Sequence, residues 1–592
     1  MNNSPNLTPT ACAQVCEAWI EQFGRAIHAG GACDIEPLFM ADGHLRNLLV
    51  LGWQICTYTG ATEASQQLAG AATAFKLRQL AVNHHLFEPH HVKRAGEWTV
   101  ECALTGVNDT GPFEGALRLR QEPDGVWRAW TLVLALCAIE GSEELHLRAS
   151  PQAQNGRRSF SGPNWKDHRD QGDRFDDRQP DVLIVGAGQA GLAVGARLKQ
   201  LGVDALIVDQ NARVGDNWRN RYHALVLHNQ RHVNHLPYIP FPETWPSYIP
   251  KDKLAGWFEY YAEAMELAVW TSTRFVGGEY DETEKIWRVT LETTAGTREL
   301  TPRHIILATG VSAIPKREPL PELAPYQGTA IHSADYVAAD VDRFPSAIVI
   351  GTGTSAHDVA QDLAENGVKV TMVQRSPTMV QNVEPTAQLP YVIYGGSLST
   401  DACDLITVGT PMALYKTSSR LSLGVAEELD RDLIAGLRGA GFRVNTGTDG
   451  VSWQLMYITK GGGYYFNVGC SDLIIEGKIR VVQHADIQRF VANGFELASG
   501  ELVTADLVVT ANGYLGQSEM VGKLLGDAVR TRVGAVWGID SDTQELNNMW
   551  METPQEGLWF CAGSLAQCRI YSKYLALQIK AKLNAVSATP EV

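Results

Sequence analysis

The stretch 181–210, DVLIVGAGQAGLAVGARLKQLGVDALIVDQ, constrains the fold more than any other. An apolar run meets three glycines, a helical run follows, and a second apolar run ends in an acid. Gly186, Gly188 and Gly191 form G-x-G-x-x-G. The first glycine permits the tight turn, the second lets backbone approach a pyrophosphate, and the third lets the helix pack closely on its strand. The helix start favours anionic phosphates, and Asp209 stands where an acid can bind ribose hydroxyls. The unit recurs at 347–375, AIVIGTGTSAHDVAQDLAENGVKVTMVQR. There Gly351, Gly353 and Ser355 lie in G-x-G-x-x-A, and the second run ends in Arg375. An acid there would repel a 2′-phosphate, whereas an arginine can pair with one. The simplest assignment is FAD at the first loop and NADPH at the second; a single arginine does not exclude NADH.

The texture from residue 179 onward is β-α-β, which predicts an α/β fold with parallel sheets and crossover helices. Residues 1–148 differ. TACAQVCEAWIEQFGRAI has helical periodicity, with Val15, Trp19, Ile20 and Phe23 near one face. EWTVECALTGV, FEGALRLRQE and VWRAWTLVLALCAIEG follow as strand-like runs broken by turn signals such as Pro123-Asp124-Gly125. Helices first and antiparallel strands after predict an α+β domain. Residues 149–178 are charged, poor in aliphatics and carry Gly, Ser and Pro, which reads as a linker lying over a surface through Phe160 and Trp165. The expected division is 1–148, linker 149–178, a FAD domain split into 179–338 and 502–592, and a nucleotide domain at 339–501. The segment 384–470, with clusters such as KGGGYYF, reads as long, irregular and substrate-facing.

Bulk properties remove several function classes. The net charge of −16 disfavours nucleic acid as a partner. No apolar run is long enough to span a bilayer, and the start of the sequence lacks the basic and apolar parts of a signal peptide. Ten scattered cysteines without a C-x-x-C pair predict a reduced, cytoplasmic protein. HHLFEPHH at 84–91 offers four histidines and Glu88, but strand alternation would split them across two faces, so no metal site is expected.

A family resemblance rests on several motifs. YQGTAIHSADY, 326–336, resembles the identifying motif of flavin-containing monooxygenases, F-x-G-x-x-x-H-x-x-x-(F/Y). Gly328, His332 and Tyr336 match, and Tyr326 replaces phenylalanine. VGDNWRNRY, 214–222, is similar to the V-G-G-x-W segment, with Asp216 for the second glycine. LHNQRHVNHLPYIPFP resembles a segment of plant YUCCA-type enzymes, and ILATG and VVTANGY resemble the chain crossings between domains. HLRNLLVLGWQICTYTG and WRAWTLVLALCAIEG look like pieces of an NTF2/SnoaL-like cone. Together these parts resemble the type II flavin-containing monooxygenases, two Rossmann-like domains preceded by an NTF2-like α+β domain.

The resemblance implies an NAD(P)H- and O2-dependent monooxygenase. It would form a C4a-(hydro)peroxyflavin and oxygenate a small organic substrate, by Baeyer–Villiger oxidation of a ketone or by N- or S-oxygenation. It implies roles for His228, Asn229 and Asn234 at the active-site wall, and for Trp218 as a packing wall against FAD. His332 would couple the nucleotide site to domain position. The helix after Gly563 would aim its positive end at the flavin. The N-terminal unit would close a substrate tunnel or form a homodimer contact, and cones of this type also host isomerase or dehydratase pockets. The competing reading is a flavoprotein reductase that passes electrons to another acceptor. Its disulfide form needs a cysteine pair near the flavin, and none follows the first loop.

Overall fold

The computed structural model describes residues 7–145, 161–312, 314–318 and 320–587. Phe160 lies outside them. Two parallel sheets form the larger part. The first runs in the order 268–270, 205–208, 182–185, 304–307, 558–560. Its central strand Val182–Val185 is buried throughout, as a strand covered on both faces must be. The crossover helix Gln189–Gln200 and the C-terminal helix Leu565–Ser587 pack against each other.

The second sheet runs in the order 329–332, 507–510, 346–350, 369–374, 479–483, again all parallel. This moves the expected boundaries at 338 and 501. Thr329–His332 and Leu507–Thr510 hydrogen-bond into the second sheet. The chain therefore crosses between 307 and 329, and returns after 510. ILATG and VVTANGY end on these crossings.

Residues 9–136 form a seven-stranded sheet with the helices Pro9–Ala29 and Ala61–Phe75 packed against it. The helix Pro9–Ala29 starts at Thr8, whose side chain accepts the Ala11 N–H, and ends at Gly30. It buries Cys12, Cys16, Trp19, Ile20 and Phe23 in the sheet, while Val15 is only partly buried. The sheet is antiparallel except for one parallel pair, 39–48 with 127–136. Its interior is filled by side chains.

The opposite face of this sheet is also covered. Met40 and Trp130 pack on Leu414, and Phe87 and Ala103 pack on Ala402 and Ile406. Lys573 of the C-terminal helix pairs with Glu114. Glu101, fully buried, is held well below the usual carboxylate range, at about 2; burial alone would raise it, but Arg118 and Arg94 outweigh that.

Two other expectations change. The segment 384–470 is mostly helical, with helices Thr400–Val408, Met412–Leu429, Arg431–Gly439 and Trp453–Lys460. Gly409 and Gly461 end two of them, whereas Gly424 and Gly436 lie within the other two. The linker carries a short helix, Trp165–Gly172, closed by a capping box at Asn164. Trp165 remains 55% exposed, with Arg169 over its ring.

Candidate active site

The two glycine loops are built alike. Gly186 has φ 114°, and a Cβ on Gly191 would lie 1.9 Å from the Gly186 carbonyl oxygen. Only glycines allow this turn and this approach. Gly188 precedes the helix without a side-chain cap, so first-turn N–H groups stay open for an anion. Asp209 is already positioned: it accepts the Ala187 N–H at 2.7 Å and both the Asn211 N–H and its side-chain amide at 2.8 Å. In the second loop Gly351 has φ 124°, Gly353 starts the helix Thr354–Glu365 without a side-chain cap, and Ser355 lies in its first turn. Arg375 is exposed just past the strand Lys369–Gln374. Arg443, absent from the sequence reading, donates to the Arg375 carbonyl at 2.5 Å. It comes from 68 residues further along the chain, so no local pattern announces it.

From the first loop a chain of hydrogen bonds leads inward. Trp218 donates its indole N–H to Gln189 at 3.3 Å, and Gln189 donates to the Gly563 carbonyl at 3.2 Å. Just beyond, Ser564 and Gln567 cap each other at the start of the C-terminal helix. Asp216, the departure from the family glycine, accepts the Arg213 N–H and pairs with Arg219.

Gln189, Trp218, Gly563, Ser564 and Gln567 border one cavity of about 410 Å³. His228, Asn229 and Asn234 all line it. Asn234 donates to the Asn229 carbonyl at 3.0 Å, and Asn229 donates to the Tyr391 hydroxyl at 3.2 Å. The Asn229 side-chain oxygen is buried and has no protein partner. Burial lowers His228 to about 4, so its imidazole is neutral at physiological pH.

Much of the remaining wall comes from the segment 384–470, expected to face substrate, though its individual wall residues were not legible in sequence. The helical insertion supplies Tyr391, Tyr394, Tyr415, Trp453, Tyr457 and Tyr464, and the C-terminal helix supplies Tyr571. Burial pushes each of these phenols up, so all are neutral. Arg46, from the N-terminal sheet, and Glu545 complete the lining.

His332 does not reach the cavity. One ring nitrogen accepts the Ala334 N–H at 3.0 Å, and the other faces the Gly513 carbonyl at 3.2 Å. Both ring nitrogens are therefore engaged by backbone at the crossing. Tyr326 and Tyr336 act similarly, on the Ala505 carbonyl and on Asp362. The motif ties the crossing strands to the second sheet. The histidine-rich run is dispersed too: His84 meets Glu88, and His91 stacks on Trp98.

Residues 183–393 match the family model for pyridine nucleotide-disulphide oxidoreductases. A relative, indole-3-pyruvate monooxygenase YUCCA1 of Oryza sativa subsp. japonica, is 30% identical over 348 residues, spanning 57% of this chain and 77% of that protein. The chain belongs to the class B flavoprotein monooxygenases. It is an NAD(P)H-dependent oxidoreductase with FAD and NADPH as cofactors. Probable indole-3-pyruvate monooxygenase YUCCA8 of Arabidopsis thaliana is 29% identical over 337 residues, covering 56% of this chain and 74% of that one. A flavin-containing monooxygenase structure from Stenotrophomonas maltophilia aligns with 68% of this chain and 99% of its own, at a TM-score of 0.46 and 16% identity. Among the described residues no helix is long and apolar enough to cross a membrane.

Proposed function

We propose that this monooxygenase oxygenates a small aromatic acceptor in the 410 Å³ cavity, as a Baeyer–Villiger reaction on a ketone or as oxygen transfer to sulfur or nitrogen. The observation that carries this reading is the convergence on one cavity of three elements. These are the start of the first-loop helix, the 228–234 segment and the start of the C-terminal helix. The crevice at the carboxyl ends of the parallel strands is where a flavin would sit. Gly186, Gly188, Gly191 and Asp209 would hold FAD, with Trp218 against it and Gly563 beside its ring. Gly351, Gly353, Ser355 and Arg375 would hold NADPH, with Arg443 a second cation at the same mouth.

When bound, FAD supplies reduction of O2 and transfer of one oxygen atom, with NADPH as hydride donor. The chain's own residues bind, orient and keep water out. Asn229 offers an amide oxygen that the fold leaves unpaired, an acceptor for an N–H or O–H of whatever is bound. Asn234 fixes its backbone. Neutral His228 orients a partner by hydrogen bonding without bringing charge. The aromatic wall favours an aromatic acceptor. The rice relative is named for indole-3-pyruvate, which has an aromatic ring and a ketone but also carries a carboxylate.

The 9–136 unit supports an NTF2-like domain through its mostly antiparallel seven-stranded sheet with helices packed on it. Its outer face covers the catalytic core, which supports the tunnel-closing role over a second active site. A homodimer would then need another face, and sedimentation would measure it. Ten free cysteines support a cytoplasmic setting.

Asn229→Ala tests the site. It should retain flavin but lose about a hundredfold in kcat. Equal turnover by the variant would remove Asn229 from the reaction.

A further inference from the structure

Arg46 and Glu545 are the only acidic or basic residues, histidine aside, among the described residues that line the cavity. They come from different parts of the chain and are buried to 4% and 8% exposure. The contact is two-pronged. One guanidinium nitrogen pairs with one carboxylate oxygen, and the second donates to the other at 3.1 Å. Arg46 also donates to the Thr57 hydroxyl at 2.7 Å and to the Val408 carbonyl at 2.6 Å. Burial alone would make the guanidinium easier to deprotonate, but Glu545 outweighs it and holds the charge. With the tyrosines and His228 neutral, the cavity carries one positive and one negative group that cancel.

The pair lies away from the start of the C-terminal helix, where the flavin ring would sit. Tyr571 shares that part of the wall with Arg46. It sits six residues into the C-terminal helix, about 9 Å along its axis. Glu545 belongs to a segment whose backbone needs holding. Trp537, Gln544, Asn548 and Trp550 all have φ between 50° and 71°, a region non-glycine residues rarely adopt. Lys416 and Arg46 are the cations that grip it, through Gln544 at 2.6 Å and through Glu545.

We propose that the Arg46–Glu545 pair is a specificity device: by neutralising each other at the far wall, the two residues make the site select uncharged aromatic substrates over carboxylates and ammonium ions. This rests on reading the cavity as the substrate site. A carboxylate entering would compete with Glu545 for an arginine already satisfied, and would lose its own hydration in an aromatic enclosure. An ammonium ion meets the mirror-image problem. Removing one partner leaves the other charge buried and unpaired, so a substrate carrying the lost residue's charge should fill the gap. The pair thus predicts opposite changes for its two halves, which a merely structural tie does not.

The test uses the full-length holoenzyme and three probes of one shape: thioanisole, 4-(methylthio)benzoate and 4-(methylthio)benzylamine. Affinities are read from perturbation of the bound flavin's visible absorbance without NADPH, and kcat/KM is measured beside them. Wild-type protein should bind thioanisole at least about tenfold more tightly than either ionised probe. Glu545→Gln should shift the ratio toward the benzoate, and Arg46→Gln toward the benzylamine, each by about tenfold or more. Wild-type protein that binds the benzoate as well as thioanisole overturns the proposal without any variant. So do variants that weaken all three probes alike. If no probe binds flavin-loaded wild type, the cavity is not the substrate site, and the reading beneath the proposal fails with it.

Discussion

Asp358 holds a carboxyl where ionisation is costly. It sits in the second-loop helix, and the Tyr222 hydroxyl donates to it. Desolvation pushes the carboxyl up to about 6, against the opposing pull of the Tyr222 hydrogen bond and the Arg221 charge. A raised folded value favours the protonated native state. The stabilisation is therefore full below the ordinary carboxylate value near 4 and is lost as pH rises through about 6. Asp358→Asn keeps an acceptor for Tyr222 and removes the titration. It should raise thermal stability at neutral pH by roughly 1–3 kcal/mol and flatten its change between about pH 4 and 6. Unfolding scans across that range check this; an unchanged pH profile would contradict it. Arg375 invites a second substitution. Arg375→Ala should raise KM for NADPH about tenfold and leave NADH unchanged, because only the 2′-phosphate differs. Initial rates with both nucleotides decide it, and equal effects would place the arginine elsewhere.

Among the elements, the first glycine loop leaves no room for a side chain at its third glycine. A methyl group on Gly191 would meet the Gly186 carbonyl at 1.9 Å, so Gly191→Ala must force the helix off its strand. Protein purified with this change should carry little or no flavin, measured by its visible spectrum. Full flavin content would show that the loop is not the FAD cradle. Both loops were legible because strand, turn and helix are consecutive, and the geometry they need leaves a fixed glycine spacing. The helical insertion was not. Its glycine clusters read as irregular chain, yet the segment forms four helices whose inward faces show only after packing. His332 illustrates a different limit. Its motif marks the family, but the role of the ring emerges only when Gly513, 181 residues away, closes on it.

At the scale of the whole molecule, the N-terminal sheet is part of the catalytic body. It covers the insertion with Met40, Phe87 and Trp130 and sends Arg46 into the cavity. A domain joined through buried apolar contacts and a buried ion pair should not unfold alone. Calorimetry should therefore show one cooperative transition for the holoenzyme, and a separate early transition for the N-terminal unit would contradict it. A tunnel-closing N-terminal unit was an expectation of the sequence, but the residues that make the joint were not legible there. Arg46 and Glu545 stand 499 positions apart, and nothing near either residue marks a partner. The central claim is oxygen transfer in this cavity. We would supply NADPH, ¹⁸O2 and a panel of uncharged aromatic ketones and thioethers to the purified holoenzyme, and follow product mass alongside NADPH consumption. The account predicts product carrying one labelled oxygen atom per NADPH oxidised. NADPH oxidation with no labelled product from any member, together with rapid reduction of an artificial electron acceptor, would contradict it and make the protein a reductase.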